Sequence, residues 1–141
     1  MEESQKQMWA GYSDTVIDHV QNPRNVGIIS NADGHASTTT DECRDTLEIW
    51  LRVQNDIIEE ATFWTDGCAA TVAALSMTTE LAKGKRVIAA FKITPKNILD
   101  ALGGLPEGNR HNAELAANTL KAAIKNYLTI KDQPWKKLYR K

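Results

Sequence analysis

Apolar and polar residues alternate along the segment from about 45 to 54. The spacing has a period of two, which is typical of a strand with one buried face. The apolar set is Leu47, Ile49, Leu51 and Val53, and the intervening set is Thr46, Glu48, Trp50 and Arg52. Asn55-Asp56 then forms a turn signal, and the residues from Ile57 to Thr65 predict the returning strand of an antiparallel hairpin.

Four other segments show helical spacing. Apolar residues at 16, 17 and 20 follow the capping residues Ser13 and Asp14, and the run is broken at residues 22–25, Asn-Pro-Arg-Asn. Helices are also predicted from about 68 to 83, from 95 to 102 and from 111 to 128. Residues 30–41 are rich in turn formers, so they predict a loop or a weak edge strand.

The order of these elements indicates the fold class. Strands come first and helices follow, which predicts an α+β protein in which a small antiparallel sheet of about three strands is covered by helices. A chain of 141 residues is expected to form one domain. We assign residues 11–130 to it, with 1–10 as a loose N-terminal arm and 131–141 as a basic C-terminal tail.

Charge and composition narrow the function classes. The chain has 17 basic and 18 acidic residues and a formal charge of −1, so no broad cationic field favours nucleic acid as a partner. No apolar run reaches the ~20 residues that a membrane span needs, and the first residues lack a signal-peptide core. We therefore expect a cytoplasmic protein whose two cysteines stay reduced and available as ligands.

Residues able to bind metal fall at three junctions between loops and regular elements. Cys43 and Asp45 lie where a loop enters the strand predicted from about 45 to 54. Cys68 lies where the second strand of the hairpin gives way to a helix, and His111 begins the last helix. An antiparallel hairpin brings the start of one strand beside the end of its partner, so Cys43 and Cys68 are predicted at one end of the sheet. A helix N-terminus favours a thiolate at Cys68 and a neutral imidazole at His111.

Two thiolates, one carboxylate and one imidazole suit tetrahedral zinc or the irons of an iron–sulfur cluster. Taken one at a time, the same residues have structural explanations. Each cysteine can be a small buried apolar residue, Asp45 a cap at a strand end and His111 a surface residue of a helix. Only their shared placement at junctions favours a metal site.

The chain resembles the U-type iron–sulfur cluster scaffold family, which includes IscU and the N-terminal domain of NifU. The resemblance covers about residues 12–128 and is carried by an ordered set of short motifs. These are Tyr12-Ser13, Asp18-His19, Asn22-Pro23-Arg24-Asn25 with Gly27, Cys43-Arg44-Asp45-Thr46, Thr65-Asp66-Gly67-Cys68, Leu105-Pro106, His111, and the last helix from Leu115 to Tyr127. It implies a sandwich with helices on one face of the sheet, and ligand positions at Cys43, Asp45, Cys68 and His111.

Two positions depart from the family pattern. The family has glycine where this chain has Arg44, and cysteine after the histidine where this chain has Asn112. An amide cannot accept sulfane sulfur and is a poor, neutral ligand, so the third thiolate is missing. The charge of Arg44 can offset that of the thiolates, or its bulk can narrow the loop.

The resemblance implies a carrier that is not an enzyme. A cysteine desulfurase supplies sulfur, a nascent [2Fe–2S] cluster is held, and acceptor proteins receive it. The missing cysteine keeps two alternatives open. One is a zinc-binding relative, and the other is a desulfurase-binding regulatory module that assembles no cluster.

Overall fold

The computed structural model describes residues 11–40 and 44–133. The predicted arm at 1–10, Cys43 and the tail beyond residue 133 lie outside these ranges. In chain order the elements are α1 (Asp14–Gln21), β1 (Gly34–Thr39), β2 (Thr46–Gln54), β3 (Ile57–Thr65), α2 (Ala69–Ala82), α3 (Val87–Phe91), α4 (Pro95–Leu102), a 3-10 turn (Glu107–Asn109) and α5 (His111–Asp132).

The three strands form one antiparallel sheet in the order β1-β2-β3. Leu47 lies opposite Thr38 on β1 and Thr65 on β3, so the start of β2 and the end of β3 meet at one end of the sheet. The hairpin closes at the other end through Asn55 and Asp56, whose φ angles are 55° and 61°. Two consecutive left-handed residues match the right-handed twist of the flanking strands.

Helices α5 and α2 pack on one face of the sheet, with α5 across β1 and β2 and α2 against β3. Small residues allow the close approach. A Cβ placed on Gly34 of β1 would lie 2.7 Å from the backbone oxygen of Ala123 in α5. The core between the layers is fully buried and includes Leu47, Ile49, Leu51, Leu75, Leu120 and Ile124. The α+β class and the helix-covered sheet are therefore confirmed.

The opposite face of the sheet carries a smaller cluster. Trp50 packs with Ile29 and Ala32 from the segment that precedes β1. The His35 ring stacks on Trp50 with the ring centroids 5.2 Å apart, and its Nε2 atom lies 2.9 Å from Glu48 Oε2. This face is thus partly covered by the chain between α1 and β1.

The Asn-Pro-Arg-Asn segment at 22–25 joins α1 to both α2 and the sheet. Its Asn25 carbonyl accepts from Phe63 N and its neighbour Gly27 N donates to Phe63 O, which adds a short parallel pairing beside β3. Ser76 of α2 contacts the buried His19 ring at 2.7 Å and accepts from Arg24 N at 2.9 Å. These contacts give part of the family motif a structural role.

Two details differ from the sequence-based expectations, and one open alternative is decided. The short helix α3 was not predicted, because five residues without a side-chain cap leave almost no periodic signal. Of the two alternatives predicted for residues 30–41, the edge strand is confirmed at residues 34–39, which form β1. Helix α5 runs to Asp132 rather than 128, so the assigned tail at 131–141 begins inside its last turn. Within the described ranges, none of the helices combines the length and apolarity needed to cross a membrane.

Candidate metal-binding site

The end of β3 is shaped to present Cys68. The Thr65 hydroxyl donates to Thr46 O at 2.7 Å and accepts from Gly67 N at 3.0 Å, while Asp66 Oδ1 accepts from Thr46 N at 2.8 Å. These bonds fix the turn that places Cys68 at the N-cap of α2, where its side chain is exposed. The predicted opening of this helix at Gly67-Cys68 is confirmed.

Asp45 lies at the other side of the same sheet end. A backbone bond from Thr40 N to Asp45 O, 2.9 Å long, closes the connection between β1 and β2. The Thr40 hydroxyl accepts from Asp45 N at 3.1 Å. Arg44, which precedes Asp45, is exposed and has a φ angle of 55°.

His111 is the first residue of α5 and its side chain is exposed. Arg110 before it has helical backbone angles and makes no side-chain capping bond, so the 3-10 turn feeds directly into the helix. The imidazole therefore lies at the N-terminal end of α5, on the side that faces the candidate site.

Asn112 is held by two hydrogen bonds and is only 4% exposed. Its Oδ1 accepts from the Thr71 hydroxyl at 2.9 Å, and its Nδ2 donates to Asn109 O at 3.1 Å. The same Thr71 oxygen lies 3.5 Å from Cys68 Sγ. A continuous polar chain thus links the N-terminus of α5 with the N-terminus of α2.

A pocket of about 410 Å³ opens between the end of β1, the start of β2 and the first turns of α5. Its lining includes Asp45, His111 and Asn112, all singled out from the sequence, and Thr71, which contacts Cys68. The other residues lining it are Thr39, Thr40, Leu47, Glu114, Leu115 and Asn118. The structure therefore places Asp45 and His111 on one pocket and Cys68 immediately beside it.

Several lining residues were missed in the sequence. Thr71 stands three positions after Cys68, and Glu114 and Asn118 stand three and seven positions after His111. Helical spacing of three, four and seven puts residues on one face, so this spacing was a usable signal. These residue types are common on helix surfaces, so the spacing alone does not distinguish them from ordinary surface residues.

The described part of the chain does not by itself contain an assembled metal site. Within residues 11–40 and 44–133, no three side chains of the types His, Cys, Asp and Glu lie close enough to hold a metal ion. Cys43 lies outside these ranges. The convergence of the four residues on one ion or cluster therefore stays a prediction.

The fold and the family comparison agree. Residues 11–134 match the family described as NifU-like N terminal domain, and the chain belongs to that family. The resemblance inferred from the motifs is thus confirmed.

Individual members of the family that resemble this chain include named scaffold proteins. The chain is 48% identical over 116 residues to the iron-sulfur cluster assembly scaffold protein IscU 1 of Archaeoglobus fulgidus, covering 82% of this chain and 76% of the relative. It is 41% identical over 119 residues to the IscU scaffold protein of Aquifex aeolicus, covering 83% and 76%. A crystal structure of a NifU-like N-terminal protein from Brucella abortus shares the fold, with a TM-score of 0.58 at 17% identity over 86% of this chain and 94% of that one.

Proposed function

We propose that this protein is an iron–sulfur cluster assembly scaffold that holds a nascent [2Fe–2S] cluster and passes it to acceptor proteins. The observation that carries the proposal is the shared pocket. Asp45 and His111 line it, and Cys68 adjoins it through Thr71, in a chain whose relatives are named scaffold proteins. The ligands we assign to the cargo are Cys43, Asp45, Cys68 and His111.

The donor set suits a cluster that is held and then released. Thiolate sulfur and imidazole nitrogen are ordinary ligands of iron in clusters. A carboxylate oxygen is a harder ligand and holds such iron less tightly than a thiolate does. We therefore assign to Asp45 the role of keeping the cluster transferable.

Sulfur is expected to enter through a cysteine desulfurase. Cys68 is exposed at the N-cap of α2, beside the candidate site. Asn112 cannot take sulfur, so delivery falls to Cys43 or Cys68. Such a protein binds and relays its cargo without catalytic turnover of its own.

A zinc-binding function is the second candidate, because the contacts of the Asn112 amide leave the same four donors that we assign to a cluster. Both polar atoms of that amide are engaged with Thr71 and Asn109, so the available donors number four, including Cys43. Four donors of this kind meet the needs of tetrahedral zinc. In that case the metal would add to folding free energy or protect the thiols.

Anaerobic reconstitution tests the proposal. The purified full chain is first assayed for bound metal, then given ferrous iron, cysteine, a cysteine desulfurase and a thiol reductant that supplies the electrons needed to form sulfide, while visible charge-transfer absorption is followed. We expect absorption that is lost in Cys43→Ser and Cys68→Ser and strongly reduced in Asp45→Ala and His111→Ala. Asp132→Ala is the matched control, because this exposed carboxylate lies at the far end of α5 and should leave reconstitution unchanged.

The other outcomes contradict the scaffold function. Stoichiometric zinc that iron does not displace would support the zinc-binding function. Desulfurase binding without retention of any metal would support a regulatory module.

A further inference from the structure

A second cavity lies between helices α3 and α5 and has a volume of about 640 Å³. Its floor is formed by the buried or partly buried side chains of Val87, Phe91 and Ile124. Its exposed edges are formed by Ile88 and Leu128, which are 70% and 43% exposed. We call this feature the α3/α5 groove. Unlike the candidate metal site, it is almost wholly apolar at its centre.

The α3/α5 groove is distant from the candidate metal site. It also borders Asp56, in the turn that closes the hairpin, whereas the metal site lies at the open end of the same hairpin. Along α5, the 17 residue steps from His111 to Leu128 span about 25 Å at the usual helical rise. A partner in the groove would therefore leave the metal site accessible, and the inference does not rest on the proposed function.

Basic side chains surround the apolar floor. Arg86, Lys125 and Lys131 line the groove, and the Lys121 ammonium lies 5.8 Å above the Phe91 ring. Among the described residues that line the groove, Asp56 is the one acidic residue, and it is already paired with Lys131 at 2.8 Å. Arg86 and Lys125 form no ion pair within the described part of the chain. The rim therefore carries an uncompensated positive charge.

We propose that the α3/α5 groove docks an amphipathic helix of a partner protein whose apolar stripe is flanked by aspartate or glutamate. Two helical walls and an apolar floor suit a helix-in-groove contact, and the basic rim selects acidic flanks. Because the edges formed by Ile88 and Leu128 are exposed, the groove is open to solvent. A small apolar ligand would stay largely in water there, whereas such ligands usually have most of their surface buried.

Charge also disfavours two other occupants of the groove, a second copy of this chain and the chain's own sequence after α5. A symmetric contact between two copies of this groove would place Arg86 and Lys125 against the same residues of the second copy. The sequence after α5 contains apolar residues, but it also carries Lys136, Lys137, Arg140 and Lys141 and no acidic residue. Like charges across such a contact oppose binding, so a separate acidic partner fits better.

The probe is a synthetic helical peptide of about 18 residues, with leucines at positions i, i+3, i+4 and i+7 and glutamates on both flanks. It is titrated into the isotope-labelled full chain, and backbone chemical shifts are followed by NMR. A matched peptide has lysine in place of every glutamate. We expect the glutamate peptide to shift signals of α3 and the C-terminal half of α5, and to bind at least about tenfold more tightly than the lysine peptide. Raising NaCl from about 0.05 to about 0.5 M should reduce this difference.

The chain offers a matched pair of variants. Ile88→Glu places an acid on the groove, and Ile28→Glu places the same change at a residue 72% exposed that does not line it. Both side chains are mostly in solvent, so thermal unfolding should shift little in either variant. We expect Ile88→Glu to weaken the glutamate peptide about tenfold or more and Ile28→Glu to leave it unchanged.

Three results would overturn the proposal. The first is equal binding of the two peptides, and the second is a shift map centred away from α3 and α5. The third concerns the full chain with Trp135→Ala and Leu138→Ala together. If that variant binds the glutamate peptide much more tightly than the unmodified chain, the groove is already occupied by the chain's own C-terminal segment.

Discussion

Arg44 has a left-handed backbone conformation immediately before Asp45. Its φ angle is 55°, in a region that glycine enters freely and other residues enter at a cost of about 1–2 kcal/mol. The resemblance drawn from the sequence motifs implies glycine at this position. The chain thus keeps the conformation that glycine favours while carrying an exposed, charged side chain there.

This conformation predicts an inverted order of stability at position 44. Alanine is usually more stabilising than glycine because glycine loses more chain entropy on folding. At a left-handed position the order reverses, so Arg44→Gly should exceed Arg44→Ala in free energy of unfolding by about 1 kcal/mol. Urea denaturation of both variants measures the difference. An alanine variant as stable as the glycine variant would show that the left-handed backbone is not maintained in solution.

Asn112 has both of its polar atoms in use, which explains how an amide is accommodated at the start of α5. Its bonds to Thr71 and Asn109 satisfy a nearly buried side chain and tie α5 to α2. The amide is therefore compatible with the packing of α5 on α2. The chain folds around the amide but gains no third sulfur donor.

Restoring the thiol should change how firmly a cluster is held. If the proposed scaffold function is correct, Asn112→Cys adds a thiolate beside His111, and the reconstituted cluster should pass to an apo-acceptor several-fold more slowly. The decay of its absorption after acceptor is added measures this rate. Asn112→Ser is the control, because it removes the amide without adding a strong ligand. Equal transfer from the serine and cysteine variants would contradict the expectation that a thiolate at position 112 reaches the cluster.

At the scale of elements, the sequence was sufficient to predict the hairpin and the longer helices. Alternation over β2 and the Asn55-Asp56 turn predicted the antiparallel hairpin, and the capping residue Ser13 marked a helix start that the structure retains. These signals are local, so a single sequence shows them.

The missed features depend on contacts between segments that are distant in the chain. The short helix α3 is stabilised by packing on α5, and the pairing of residues 25–27 with β3 depends on Asn25 contacting Thr79 and Glu80 of α2. Local periodicity cannot reveal such pairings. The same limit applies to Thr71, whose role at the candidate site becomes visible only when Cys68 and Asn112 are both placed around it.

Gly67 is required where β3 gives way to α2. A Cβ at this position would lie 2.9 Å from the Cβ, Cγ2 and Oγ1 atoms of the buried Thr71 side chain. Because Thr71 cannot rotate its own Cβ away, Gly67→Ala must displace the first turn of α2. We expect a loss of about 1–3 kcal/mol in free energy of unfolding, the usual cost of overpacking.

Gly108 provides the control for this prediction. A Cβ there meets no atom within 4 Å, so Gly108→Ala should change the free energy of unfolding by no more than about 0.5 kcal/mol. Chemical denaturation of the two variants side by side distinguishes crowding at Gly67 from a general cost of replacing glycine. Equal losses would refute the steric argument.

At the scale of the whole molecule, the two ends of the sheet carry different chemistry. The end where β2 begins and β3 finishes holds the polar pocket, while the end closed by Asn55 and Asp56 borders the apolar α3/α5 groove. Helix α5 connects them, with its N-terminus at the polar end and its C-terminal half at the apolar end. The sequence predicted the polar end because ligand residue types are conspicuous, whereas the groove arises only from packing α3 on α5.

Global stability should depend on pH through the His19 ring, which ties α1 to α2 through Ser76. Burial lowers the pKa of His19, and the nearby charge of Arg24 lowers it further, while Asp18 and Glu80 act in the opposite direction. In the unfolded chain the ring titrates near its ordinary pKa of 6.5. Between that value and the lower folded pKa, the unfolded state binds more protons, so the free energy of unfolding falls as the pH falls.

Replacing the His19 ring should weaken the pH dependence of the free energy of unfolding below pH 7. The variant His19→Gln keeps a polar side chain near Ser76, but this side chain cannot titrate. As the pH decreases from 7 toward 5, the free energy of unfolding of the variant should therefore fall less than that of the unmodified chain. Above pH 7 the two stability curves should run parallel. Urea denaturation at a series of pH values measures both curves. The difference between them should persist at about 0.5 M NaCl, because desolvation of a buried ring is not screened, whereas the exposed Asp18–Arg24 pair is. Parallel curves across the whole range would mean that the ring is as easily protonated in the folded protein as in the unfolded chain, and that α1 is not held to α2 by a buried neutral imidazole.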